Sequence, residues 1–123
     1  MLFTEYVGEH WLSVEQVAQG VLLFELAGES DLTGDRLRRE LEDALGTGVD
    51  AIVVDCSGLA FLETWTIDGL LSAKSALGER LAVVAPQGDV RRVLELIGLE
   101  SMIHVHETRA AALNALGVGG AAA

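Results

Sequence analysis

The chain of 123 residues has the length of one ordinary domain, and its 50% content of hydrophobic residues is enough for a packed core. Its formal charge of −11, with Lys74 as the only lysine, argues against a direct role on nucleic-acid phosphates or anionic membranes. We therefore expect a soluble acidic protein whose partner is basic, at least locally.

The amino-terminal residues MLFTEYVGEH carry acids where a signal peptide needs bases, and no stretch approaches the roughly 20 apolar residues of a membrane span. We expect a cytoplasmic protein in which residues 1–10 form an extension. The runs WLSVEQV at 11–17 and VLLFELAG at 21–28 then predict two strands joined by a hairpin turn. Helical spacing of apolar residues continues from Leu37 to Leu45, and the GTG at 46–48 ends that first helix.

Two β-branched runs follow, AIVVDCSG at 51–58 and LAVVAP at 81–86, with a helix-length segment between them. Such runs are typical of adjacent parallel strands that are covered on both faces. Ile67, Leu70, Leu71 and Leu77 mark the buried face of the intervening helix. The predicted strand core consists of Ile52, Val53, Val54, Leu81, Val83 and Val84.

The last third of the chain predicts a third helix, a short strand MIHVHE at 102–107 and a final helix. The buried face of the third helix is expected to comprise Val90, Val93, Leu94 and Ile97. The overall order calls for an α/β fold with a mixed, mainly parallel sheet of four to five strands and about four helices. We expect one domain over 11–116 and a flexible tail at 117–123.

Few residues suggest chemistry. Asp55, at the end of a predicted central strand, has the position of a receiver-domain phosphoacceptor, but the chain lacks the lysine near the last strand that such a site needs. We expect Asp55 to bond turn amides instead. The single Cys56 is interpreted as a small buried side chain.

His10, His104 and His106 do not predict a metal site, because no third ligand lies near the last two in sequence. His104 and His106 share one face of a strand and are expected at an edge of the sheet. No phosphate-binding glycine loop and no nucleophile with a spaced base is found. The residues therefore offer no recognisable catalytic motif, and no cofactor is expected.

The stretch FLETWTIDG at 61–69 joins the central strand to the second helix and mixes hydroxyls, acids and a tryptophan. Thr64 or Thr66 could serve as the helix N-cap. Trp65 could pack into the core or stand out as a binding anchor, and the residues alone favour neither.

The segment VVDCSGLAFLETWTIDGLL resembles the core signature of STAS domains, as found in bacterial anti-sigma factor antagonists. That signature reads roughly as a hydrophobic strand followed by D-x-S-G-x-x-F-[IM]-D-S-[ST]-G-L. GESD at 28–31 is similar to the family's G-E-L-D, and VRRVLELIGLESMIHVHET to its third helix and closing strand. The resemblance covers about Trp11 to Leu116.

The resemblance places Thr64 at the family's phosphorylated hydroxyl, with Glu63 at the preceding acid and Asp31 at an acid across the same surface. This chain departs from the pattern at Glu63, Trp65 and Thr66. The implied partner surface comprises Asp31, Glu63, Thr64, Trp65 and Thr66. Thr66 and Ser57 are rival phosphorylation sites, and Thr66 is the more serious one because it also lies at the helix start.

The resemblance implies an anti-sigma factor antagonist of a partner-switching pathway that regulates bacterial transcription. Its partner would be an anti-sigma factor serine/threonine kinase, to which ATP and Mg²⁺ would belong. One alternative is a scaffold subunit that assembles with other STAS proteins or with itself. Another is a small-ligand-binding module or an enzyme on the same plan.

Overall fold

The computed structural model describes residues 2–7, 10–28, 32–60 and 62–118, and their six strands form one sheet. The strands are β1 (Leu2–Val7), β2 (His10–Ala18), β3 (Val21–Gly28), β4 (Ala51–Leu59), β5 (Leu81–Val84) and β6 (His104–His106). The helices are α1 (Leu32–Gly46), α2 (Thr64–Leu77), α3 (Asp89–Leu96) and α4 (Arg109–Ala115), with short 3₁₀ turns at Gly78–Arg80 and Leu99–Ser101. None of the helices among these residues is long and apolar enough to cross a membrane.

The strands lie side by side in chain order, from β1 to β6. The first two pairings are antiparallel and the last three are parallel, because α1, α2 and α3 each carry the chain back before the next strand. The predicted α/β fold with a mixed, mainly parallel sheet and four helices is thus confirmed. The sheet has one strand more than the four to five expected, since Leu2–Val7 pairs with β2 instead of forming an extension.

The hairpin between β2 and β3 has its turn at Gln19 and Gly20, as predicted. Gly20 has a φ of 75°, which favours glycine, and a Cβ there would lie 2.3 Å from Oδ2 of Asp50. The Asp50 amide donates to the Gly20 carbonyl at 2.8 Å. The close approach fixes the hairpin against the start of β4.

The front face of the sheet, which we define as the face covered by α1, α2 and α3, carries the main hydrophobic core. Phe24, Ile52 and Leu70 are completely buried there. α2 packs closely against α1 at Gly69, where a Cβ would lie 3.4 Å from the Leu37 side chain, an ordinary van der Waals contact. Core residues of this face include Leu12, Val14, Leu22, Phe24, Leu26, Leu37, Leu41, Ile52, Val54, Leu70, Leu77, Leu81, Val83 and Leu94.

The back face, which we define as the face covered by α4, has a smaller core of Leu23, Val53, Ala82, Val84 and Ala112. Both predicted central runs contribute to the two faces alternately, and β4 and β5 are adjacent and parallel. All six predicted strand-core residues have at most 2% of their surface exposed. The prediction for this part of the sheet is confirmed.

The third helix ends at Leu96, with Ile97 as its C-cap. The Ile97 amide still donates to the Val93 carbonyl at 3.0 Å, but the side chain is 50% exposed, which contradicts its predicted burial. Gly98 then adopts a left-handed conformation and turns the chain into Leu99–Ser101. The last strand is confined to His104–His106, and residues 119–123 of the predicted tail lie outside the described residues.

Candidate functional site

The segment that the sequence singled out leaves the sheet at the carboxyl end of β4. Leu59 pairs with Gly28, and the Ala60 amide donates to the Gly28 carbonyl at 3.0 Å. The chain then reaches α2 at Thr64. Asp31 and Phe61 lie outside the described residues, so the place of Asp31 in the partner surface stays a prediction.

Glu63, and neither threonine, is the N-cap of α2. Its backbone is extended, and its carbonyl accepts from the amides of Thr66 and Ile67, both at 3.1 Å. The Glu63 side chain makes no capping hydrogen bond. The predicted N-cap role of Thr64 or Thr66 is therefore wrong, because the helix begins at Thr64 and both threonines lie within its first turn.

The hydroxyl residues near this helix start differ sharply in access. Thr64 is exposed, whereas Thr66 has only 2% of its surface exposed. Ser57 is exposed as well, but its Oγ donates to Oδ1 of Asp55 at 2.5 Å. Trp65 belongs to α2, but its side chain lies outside the described part of the model, and its orientation stays a prediction.

A β-bulge in β4 precedes the segment. Glu25 pairs with Asp55 and Ala27 with Gly58, so β4 has one more residue than β3 over this interval. Oδ1 of the buried Asp55 accepts from the Ser57 amide at 2.9 Å, which confirms that Asp55 bonds a turn amide. A Cβ at Gly58 would lie 2.8 Å from the Leu26 carbonyl oxygen, so only glycine fits there without a shift.

Sequence reasoning missed the partner of Asp55 on the back face. Arg109, the first residue of α4, donates from Nε to Oδ2 of Asp55 at 2.5 Å, and its Nη2 lies 2.5 Å from Oε2 of Glu25. Partial burial by itself lowers the pKa of Arg109, but hydrogen bonding and the charges of Asp55 and Glu25 raise it above its ordinary value. Because Asp55 and Arg109 are 54 positions apart in sequence, only the pairing of Glu25 beside Asp55 could have hinted at a shared cation.

A cleft of about 190 Å³ opens beside the bulge, between the end of β4 and the start of α3. Cys56, Ser57, Ala60, Gln87 and Asp89 are among its lining residues. Burial, and secondarily the charge of Asp55, raises the pKa of Cys56 to about 12. The thiol therefore stays protonated at neutral pH and is unreactive, as its interpretation as a buried side chain required.

His104 and His106 lie on the edge strand β6, as predicted, with nearly parallel rings whose centroids are 6.4 Å apart. Nε2 of His104 is 2.5 Å from Oε2 of Glu79. Nε2 of His106 is buried and has no hydrogen-bond partner among the described residues. Among the described residues, no group of three or more histidine, cysteine, aspartate or glutamate side chains is arranged to hold a metal ion.

The start of α2 has the physical features of an anion-accepting hydroxyl site. The positive end of the helix dipole lies there, and α2 has no acidic residue in its first turn. A phosphate on Oγ1 of Thr64 would therefore be placed at a favourable helix end. The exposed hydroxyl is accessible to another protein, and none of the neighbouring groups described above forms a nucleophile with its base.

Comparison with known proteins places this geometry in context. The family model described as STAS domain matches residues 14–112. Comparison with the curated proteins finds no match.

Among solved structures, an anti-sigma factor antagonist from Mycobacterium paratuberculosis is similar, with a TM-score of 0.76 and 25% identity over 95% of each chain. The anti-sigma factor antagonist SpoIIAA in its unphosphorylated form has a TM-score of 0.67 and 17% identity, over 84% of this chain and 94% of that one. The Bacillus cell fate determinant SpoIIAA in its phosphorylated form has a TM-score of 0.63 and 17% identity, over 84% and 96% of the two chains.

Proposed function

Because this chain belongs to the STAS domain family, we propose that it acts as an anti-sigma factor antagonist in a partner-switching pathway. It is a cytoplasmic bacterial regulator of transcription that binds an anti-sigma factor serine/threonine kinase and is phosphorylated on Thr64. It has no catalytic step of its own, and the ATP and Mg²⁺ belong to the kinase. The similarity to two antagonists, one of them known in a phosphorylated form, supports this proposal.

The observation that carries the proposal is the exposure of Thr64 at the first position of α2. A kinase needs to reach the hydroxyl, and the rival Thr66 is buried and therefore inaccessible to a kinase. The other rival, Ser57, has its hydroxyl bonded to Asp55. Thr64 is thus the best-placed acceptor among these three.

Phosphorylation would act as a switch through charge. A phosphate brings about −1.5 to −2 charges and three strong acceptors into a surface that also holds Glu63. A thousandfold change in partner affinity requires about 4 kcal/mol. Desolvating a doubly charged group against a close-fitting protein surface is costly enough to supply that difference.

The test starts from the native cell extract. Immobilised Thr64→Ala protein should retain the kinase in the presence of ATP, because it cannot be modified, and the retained proteins are identified by mass spectrometry. The purified kinase and ATP are then incubated with the unaltered protein and with the Thr64→Ala and Thr66→Ala variants. We expect one phosphate, on Thr64, in the unaltered protein and in Thr66→Ala, and none in Thr64→Ala.

Phosphate on Thr66 alone would move the switch by two residues, and no phosphate on any variant would contradict the proposal. Thr64→Glu should weaken kinase binding less than the phosphate does, since it brings one charge and fewer acceptors. Thr64→Ser is the matched control, because it keeps a hydroxyl and should remain a substrate.

Trp65 belongs to the proposed partner surface, together with Asp31, Glu63 and Thr64. Thr66, which the resemblance also placed there, is only 2% exposed and is left out of the surface for that reason. An aromatic anchor in such an interface can contribute roughly 2 kcal/mol or more on truncation to alanine. We expect Trp65→Ala to keep the unfolding midpoint while weakening kinase binding. In a Trp11→Phe background, protection of Trp65 fluorescence from acrylamide in the free protein would instead indicate a buried indole.

One observation favours the scaffold alternative as a second candidate. Three large apolar side chains, Leu96, Ile97 and Met102, are at least half exposed within seven residues, at the far end of α3 from the cleft. Such grouping is a feature of contact surfaces. Light scattering separates the candidates, since an antagonist should run as a monomer or dimer and a scaffold subunit as a much larger particle. For the small-ligand alternative, the cleft beside the bulge measures about 190 Å³, below the roughly 300 Å³ at which ligand pockets usually begin.

A further inference from the structure

Arg109 connects the back-face helix to two neighbouring strands of the sheet. Its Nε donates to Asp55 on β4, and its Nη2 contacts Glu25 on β3. Glu25 and Asp55 are paired neighbours, so their side chains lie on the same face. The guanidinium is thus the cation between two adjacent carboxylates, one of which is only 2% exposed.

The two oxygens of Asp55 have different tasks. Oδ2 accepts from Arg109, whereas Oδ1 accepts from both the amide and the hydroxyl of Ser57, at 2.9 and 2.5 Å. A single carboxylate therefore links α4 to the bulge of β4. Burying an ionised carboxylate is costly unless it is paired, so the orientation of Asp55 depends on Arg109.

The bulge determines where the chain leaves the sheet toward α2. A Cβ at Gly58 would lie 2.8 Å from the Leu26 carbonyl oxygen, and the Ala60 amide is bonded to Gly28, so the backbone from Gly58 to Ala60 is held against β3. Thr64 follows only seven positions after Ser57. A change in the bond between Asp55 and Ser57 would therefore act close to Thr64 along the chain.

We propose that Arg109 is a positioning residue for the phosphoacceptor segment, which we define as residues 57–64. It acts through Asp55, whose bond to Ser57 holds the bulge and thereby the exit of the chain toward Thr64. The role of Thr64 as acceptor rests on the proposed function. The effect of Arg109 on the segment is a property of this chain alone and is testable without a partner.

Hydrogen–deuterium exchange of the free protein, followed by mass spectrometry of overlapping peptides, tests the structural part. Arg109→Gln should accelerate amide exchange in residues 57–64 about fivefold to tenfold, the factor expected for the loss of about one net hydrogen bond. Arg80→Gln is the matched control, because Arg80 is exposed and donates to the Asp50 carbonyl at 2.7 Å, at the opposite end of β4. It should leave exchange in 57–64 unchanged.

Two further variants separate positioning from a general loss of α4 packing. Ser57→Ala removes the hydroxyl bond to Asp55 while Arg109 stays, so it should accelerate exchange in 57–64 and leave α4 unchanged. Arg109→Lys keeps the charge but lacks the planar fork that reaches both carboxylates, and should restore part of the protection. Faster exchange in 109–115 alone, or an Arg109→Gln effect no larger than that of Arg80→Gln, would overturn the proposal.

The functional part is measured with the kinase identified under the proposed function. Arg109→Gln should lower kcat/KM for phosphorylation of Thr64 about tenfold at a temperature where the variant is folded, and Arg109→Lys should recover part of the loss. Unchanged kcat/KM beside faster exchange would overturn the positioning role. Absence of phosphate on the unaltered protein would instead contradict the proposed function and leave the exchange result standing.

Discussion

The two faces of the sheet are held together by different forces. The front face is covered by three helices over a continuous apolar core, with Phe24 and Leu70 completely buried. The back face has one short helix over five buried apolar residues, and ionic contacts adjoin that patch. Arg109 meets Asp55 and Glu25 on one side, and two histidines lie on the other.

The difference between the two faces indicates which contacts dominate the stability of the fold and which contacts depend on pH and salt. Apolar burial contributes roughly 25 cal/mol per Å², largely independent of pH and salt, so the front face should dominate stability. Charge contacts depend on protonation and on ionic strength. The contribution of the back face to stability should therefore depend on pH and on ionic strength more than that of the front face.

The largest expected effect is a cavity in the front face. Phe24 has 0% exposure, so Phe24→Ala should reduce the free energy of unfolding by about 3–5 kcal/mol, measured by urea denaturation. Leu113→Ala on the back face, where Leu113 is only partly buried, is the matched truncation and should cost clearly less. Equal losses would remove the distinction between the faces.

The next effect comes from the ionic contact of the back face. Arg109→Gln should cost roughly 2 kcal/mol, below the 3–5 kcal/mol typical of fully buried pairs because the Arg109 side chain is 42% exposed. The loss should shrink when urea denaturation is repeated at high salt, which screens the partly exposed guanidinium. A loss below about 0.5 kcal/mol, as for an ordinary surface substitution, would show that the contact does not hold α4.

A smaller effect distinguishes the two threonines of the α2 start. Thr66 is buried on the same stripe of α2 as Leu70, so Thr66→Ala should cost about 1 kcal/mol. Thr64 is exposed, and Thr64→Ala should stay within about 0.5 kcal/mol. Thermal unfolding of both variants checks this, and the reverse order would contradict the exposure that supports Thr64 as the acceptor.

The smallest expected effect is a dependence on pH through His106. Burial first, and then the charges of His104 and Arg91, lower the pKa of His106 below its ordinary 6.5. The unfolded chain thus binds a proton at higher pH than the folded protein does, so stability falls as pH decreases through about 6.5. Urea denaturation at pH 7.5 and 5.5 should show this loss diminished in His106→Gln, and an identical pH dependence in both proteins would contradict it.

Much of the fold was predictable because local pattern and tertiary environment agree. The β-branched run at 51–54 favours a strand, and the residues Gln19 and Gly20 favour a hairpin turn. Both segments have these structures in the fold. Leu2–Val7 was missed because a short amphipathic stretch becomes a strand only through its pairing with β2. Ile97 keeps the helical spacing as the C-cap of α3, but its exposure depends on how the end of α3 lies on the sheet, which the spacing does not determine.

The site was less predictable, because its arrangement depends on contacts distant in sequence. The residues of FLETWTIDG indicated the segment, and similarity supplied the role of Thr64. The burial of Thr66 depends on how α2 turns toward the sheet, which no local pattern determines. The contact between Asp55 and Arg109 requires knowing that α4 covers the back face.

The strand order of the sheet has a consequence for how the chain acquires its structure. Each strand pairs with the strand made immediately before it, so no position inside the sheet waits for a later segment. During synthesis, the growing polypeptide can extend the sheet one strand at a time from the hairpin onward. Because each pairing spans a single connection, a hairpin or one helix, we expect folding rates in the range of mixed α/β domains, with the three parallel pairings slower to form than the hairpins.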